Sequence, residues 1–110
     1  MIQSKVYRSS LGVIGGVATL GVRIGRKDPD LAHQLRRAAP SIALNISEGE
    51  TALGGNRRAR FDTAIGSAKE TCACLEVAVA MGYLPEAYID DVVNGLGGIV
   101  ATLISLNRRG

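Results

Sequence analysis

Apolar residues recur along the chain at intervals of three and four, in four stretches separated by breaks bearing Gly, Pro or Asp, and this pattern predicts four helices. At about 100° per residue, Ile2, Val6, Val13, Val17, Leu20 and Ile24 share one side of a first helix running from Ile2 to about Gly25. Tyr7, Leu11, Ile14, Ala18 and Val22 share the opposite side, so this helix is apolar on both faces. Gly12 with Gly16 and Gly21 with Gly25 are spaced i,i+4, which suits close approach of another backbone; the alternative is a helix broken near Gly15–Gly16.

Asp28 and Pro29 form an N-cap and first-turn pair that opens a second helix, with Leu31, Leu35, Ala38, Ile42 and Ile46 inward and Gly49 as its stop. Pro40 lacks an amide hydrogen and predicts a kink, while His33, Arg37, Pro40 and Leu44 project together from the outer side. Glu50 to Asn56 is a loop, with Asn56 capping a third helix from Arg57 to Met81. Its inward stripe is Phe61, Ala64, Ile65, Ala68, Cys72, Leu75 and Val79; Gly66, Ser67, Cys74, Val77 and Met81 lie on its back, with Glu70 among them. Gly82 ends that helix and Pro85 opens a fourth, to about Asn107, with Ile89, Val92, Val93, Leu96, Ile99, Val100 and Leu103 inward. No stretch alternates with period two, and no internal repeat or low-complexity tract is present.

Four helices joined by short turns predict an all-α, antiparallel up-down-up-down four-helix bundle, with residues 1–110 forming one domain. The apolar backs of the first and third helices predict a homo-oligomer. Leu11, Ile14, Ala18, Val22, Leu44, Gly66, Cys74, Val77 and Met81 are the expected interface residues.

Composition sharpens this picture. Hydrophobic residues make up 46% of the chain and aromatics 4%, so Val, Ile, Leu and Ala must fill the core. Cys72 and Cys74 point to different sides of a helix and cannot readily bridge each other, which suits reduced, buried thiols in a cytoplasmic protein. Leu11 to Val22, uncharged and preceded by Lys5 and Arg8, has the outline of a secretory signal but no small-x-small cleavage site, and it is too short to span a bilayer. A buried helix is the better reading.

LAHQLRRAAPSIALNISEGE from Leu31 to Glu50, the Gly-rich loop, Arg57-Arg58-Ala59-Arg60-Phe61, Gly66-Ser67-Ala68-Lys69-Glu70, and Ala78 with Gly82-Tyr83-Leu84 together resemble the 23S rRNA intervening-sequence proteins. The same four-helix-bundle family includes accessory proteins of diversity-generating retroelements. The resemblance covers roughly residues 5 to 107 and departs at Ser47, where the family pattern has alanine. It implies an antiparallel bundle assembled as a ring, commonly a pentamer, with a basic surface suited to nucleic acid and no established enzymatic activity.

The formal charge is only +3, so its distribution matters more than its total. In an antiparallel bundle Lys5, Arg8, Arg57, Arg58, Arg60, Arg108 and Arg109 gather at one end with Glu48, Glu50 and Asp62; seven cations against three anions give +4. Arg23, Arg26 and Lys27 at the other end face Asp28, Asp30, Glu86, Asp90 and Asp91, giving −2. The basic end is the expected nucleic-acid surface, reading charge and shape because few aromatics are available for stacking.

Catalytic or metal chemistry finds little support. His33 has no second histidine, and Cys72-x-Cys74 cannot clip a metal from a continuous helix. Ser47-Glu48 and Ser67-x-x-Glu70 lack a histidine partner, and Glu70 is expected to pair with Arg36 or Arg37, within or between subunits. No cofactor site is expected. Three functions therefore stand in order: a non-enzymatic module binding RNA or an RNA–protein complex, a protein adaptor such as a reverse-transcriptase accessory subunit, and an enzyme without a recognisable motif.

Overall fold

The computed structural model describes residues 3–109; Ile2, expected on the inner side of the first helix, lies outside them. The described residues form four helices and no strand: α1 is Lys5–Gly25, α2 Pro29–Thr51, α3 Gly55–Ala80 and α4 Asp90–Arg109. The molecule measures 43 × 24 × 22 Å, about the length of its longest helices and two helices across. No helix among the described residues is long and apolar enough to cross a membrane.

The most extensive contact in the molecule is between α2 and α3. The buried seam of α2 is Ala32, Leu35, Ala39, Ile42, Ile46 and Gly49, and that of α3 is Phe61, Ala64, Ala68, Thr71, Leu75 and Ala78. Both series step by three and four alternately, the spacing that keeps a narrow seam facing a neighbouring helix. The many alanines let the backbones approach, and Phe61, Leu35, Ile42, Ile46 and Leu75, all fully buried, fill the space between them. Thr71 sits in the seam without penalty because its hydroxyl donates to the Ser67 carbonyl at 2.8 Å.

Gly49 does not stop α2, which continues to Thr51. It is buried, and a Cβ built there would lie 2.5 Å from Phe61 Cε1 and 2.6 Å from Phe61 Cδ1. The residue read as a terminator is therefore a packing glycine that admits the phenylalanine ring. Pro40 is exposed and the helix runs through it.

The loop is shorter than expected. Gly54 (φ +60°), not Asn56, sits at the N-cap of α3, in a conformation that costs glycine little, and Asn56 already lies within the helix. Pro85 opens a 3-10 turn at Glu86–Tyr88, so α4 begins at Asp90.

The first helix is unbroken at Gly15–Gly16. A Cβ on Gly16 would meet Val92 Cγ2 at 2.9 Å, and one on Gly95 would meet Val13 Cγ2 at 2.7 Å, so each helix of this pair seats a valine of the other on a glycine. Gly12, expected to act with Gly16, faces open space.

The expected arc of α3 is also rotated. Cys74, placed on the back of the helix as an interface residue, is buried in the core, whereas Cys72 on the predicted stripe is half-buried. Ile14 and Tyr7 are half-buried against the core, while Leu11, Ala18, Val22, Leu44, Gly66, Val77 and Met81 are exposed.

At one end the turns are tied together by Asp28. Its Oδ1 accepts the Leu31 amide at 3.0 Å, capping α2 as expected, and its Oδ2 accepts the Tyr83 hydroxyl at 2.9 Å. The hydrogen bond to Asp28 is the main cause holding the Tyr83 phenol above its ordinary value of 10.0, with desolvation and the aspartate's charge adding to it.

Gly49→Ala should destabilise the protein by about 1–3 kcal/mol in urea unfolding, because the added carbon overpacks against Phe61. Gly97→Ala, on the open side of α4, should instead stabilise it by up to about 1 kcal/mol. Because the folded state raises the Tyr83 pKa, the stabilisation linked to that proton is complete below about pH 10 and disappears as pH rises through the folded value. Wild-type stability should consequently fall more steeply than that of Tyr83→Phe when unfolding midpoints are followed above pH 10.

Candidate nucleic-acid interface

At the opposite end, hydrogen bonds join the start of α1 to the end of α2 and the end of α4 to the start of α3. Ser4, whose hydroxyl accepts the Tyr7 amide to cap α1, donates to Glu50 Oε1 at 2.9 Å. Asn107 Nδ2 near the end of α4 donates to Asp62 Oδ1 at 2.9 Å and to the Arg58 carbonyl at 3.4 Å. Lys5 and Thr102 line one groove between α1 and α4, and Arg57 and Arg109 line one cleft. Arg8 is exposed one turn beyond Ser4, and Arg58 and Arg108 are exposed near their helix ends.

Each of the three carboxylates gathered with these cations has a partner inside the molecule. Glu50 is met by a serine hydroxyl and Asp62 by an asparagine amide. Glu48 pairs with Arg60 at 3.1 Å, both side chains being more than half exposed, so this bridge contributes little and yields readily to a competing anion. Lys5, Arg8, Arg57, Arg58, Arg108 and Arg109 form no ion pair among the described residues. Arg57, half-buried, is held over the Phe61 ring at 5.1 Å, which fixes its direction without neutralising it.

The far end is organised differently. Arg23 lies over the Tyr88 ring at 4.8 Å, Asp28 is engaged twice, and Asp30, Asp90 and Asp91 sit in first turns where the helix dipole favours negative charge. The long axis of the molecule thus separates a cationic end from an anionic one.

Ser41, Asn45 and Ser67 are joined in one hydrogen-bonded group between α2 and α3. Ser67 donates to Ser41 Oγ at 2.8 Å, and Asn45 Nδ2 donates to the same hydroxyl at 3.0 Å. Glu70 is exposed and forms no ion pair with Arg36 or Arg37 in this chain, although it shares a groove with Arg37. His33 is exposed, and no group of metal-binding side chains occurs among the described residues. Burial is the leading cause raising both thiol pKa values, assisted by Glu76 at Cys72 and by Glu70 at Cys74, so both remain protonated at neutral pH.

Leu53 and Leu106 were not anticipated at this end. They form the apolar part of a cleft of about 400 Å³ completed by Ala52, Gly54, Arg57 and Arg109. The available signal was a large apolar residue in the Gly-rich loop, a position that helical periodicity does not weigh.

Residues 5–105 match the family model described as 23S rRNA-intervening sequence protein. Among solved structures, a protein with unknown function from the S23 ribosomal protein family of Bacteroides thetaiotaomicron superposes with a TM-score of 0.85. The two are 24% identical over 93% of this chain and 97% of the other, a likeness that establishes the four-helix fold. No curated protein matches the chain.

Proposed function

Because the chain belongs to the 23S rRNA-intervening sequence protein family, we propose that it is a non-enzymatic, homo-oligomeric bundle that binds structured RNA through its cationic end. The observation that carries this reading is the pairing pattern there: three carboxylates are engaged within the molecule, and six of seven cations form no ion pair among the described residues. Guanidinium groups so disposed take phosphate oxygens in pairs, and release of counterions from the RNA drives association.

The bundle is antiparallel in this reading. Gly49 lies against Phe61 and Ser41 bonds Ser67, so one helix is followed backwards as the other is followed forwards. Ser4 reaching Glu50, and Asn107 reaching Asp62, extend the same order to α1 and α4. Exposed Leu11, Val22, Leu44, Val77 and Met81 leave an apolar surface that association would cover, and a pentameric ring would repeat the cationic end around its axis.

In equilibrium binding to a structured RNA, Arg57→Ala/Arg58→Ala/Arg109→Ala should weaken affinity at least about tenfold at low salt and flatten the slope of log affinity against log salt by about three. Sedimentation should show both wild type and variant as the same assembly, larger than the 11.5 kDa chain. Unchanged RNA affinity would refute the binding surface, and a monomer at micromolar concentration would refute the oligomer.

A further inference from the structure

The cleft at the cationic end contains more than phosphate contacts require. Helix α2 has ended at Thr51, and Gly54 at φ +60° turns the chain into α3, leaving Leu53 between them 88% exposed. Single exposed leucines are ordinary, but this one walls a cleft of about 400 Å³ with Leu106 from α4. Arg57 and Arg109 line the same cleft, and Arg57 is already oriented by its position over Phe61. An apolar wall beside two guanidinium groups complements a flat, weakly polar ring carrying a phosphate.

We propose that this cleft seats one unpaired nucleotide of the bound RNA, its base against Leu53, Leu106 and the Arg57 guanidinium and its phosphate on Arg109. This rests on the RNA-binding reading above and adds a preference to it. A base within a duplex keeps its faces stacked on its neighbours and cannot enter, whereas a bulged or terminal base presents a free face to the leucines and the guanidinium plane. Sequence selectivity is weak here, since the contacts are to the faces of the base.

The test compares a fully paired RNA hairpin with the same hairpin carrying a single bulged 2-aminopurine, using wild type and Leu53→Ser; the exposure of Leu53 makes that change harmless to folding. Wild type should bind the bulged RNA about tenfold more tightly and alter its 2-aminopurine fluorescence. Leu53→Ser should abolish both effects while leaving hairpin affinity and its salt slope unchanged. Equal affinity of wild type for the two RNAs, an undiminished bulge preference in Leu53→Ser, or equal weakening on both RNAs in that variant would overturn the nucleotide seat and leave the charge-driven reading standing. Failure of wild type to bind either RNA would overturn both.

Discussion

The contact between Phe61 and Gly49 determines how the cationic end is built. Phe61 is the only phenylalanine and is fully buried, and the surface it meets on α2 is bare backbone at a position where even a methyl group would intrude. Insertion of the ring fixes both the separation of α2 and α3 and the rotation of α3 about its own axis. Arg57, Arg58 and Arg60 are carried on the same turns, so their directions follow from the seating of one side chain. The Arg57 guanidinium resting over that ring extends the core into the site.

From this constraint follows a division of labour along the molecule. The α2–α3 seam is made tight by small residues, and the cationic end inherits its rigidity. Carboxylates near the arginines are held mainly by neutral donors, Ser4 and Asn107, which orders the ends of α1 and α4 without discharging the arginines. At the anionic end Asp28 performs the corresponding task, joining a helix cap to the Tyr83 hydroxyl across the bundle. Charge separation here results from how each acidic group is partnered as much as from how many there are.

The four helices and most of their inward residues were legible because α1, α2 and α4 have marked apolar arcs, with Val17, Leu20 and Ile24, Leu35, Ile42 and Ile46, and Leu96, Ile99 and Leu103 at helical spacing. Helix α3 was harder to phase, since small and apolar residues surround much of its axis. Its buried side takes Thr71, Cys74 and Ala78, whereas the spacing puts Cys72 and Val79 inward and Cys74 on the back; only packing against the other helices decides between them. Gly49 misled for a related reason: local rules recognise glycine as a helix stop, whereas here its lack of a side chain answers Phe61, distant in sequence. The basic residues were legible as a set once their places at helix ends were known. The partners of the three carboxylates and the leucine-lined cleft were not, because they depend on which termini lie side by side.

The central claim is that the end bearing Arg57 and Arg109 meets RNA, and the most direct measurement is photo-crosslinking of bound RNA with the attached peptides identified by mass spectrometry. Crosslinks should concentrate in residues 52–60 and 106–109. Crosslinks concentrated at Arg23, Arg26 and Lys27, or spread evenly over both ends, would contradict the account.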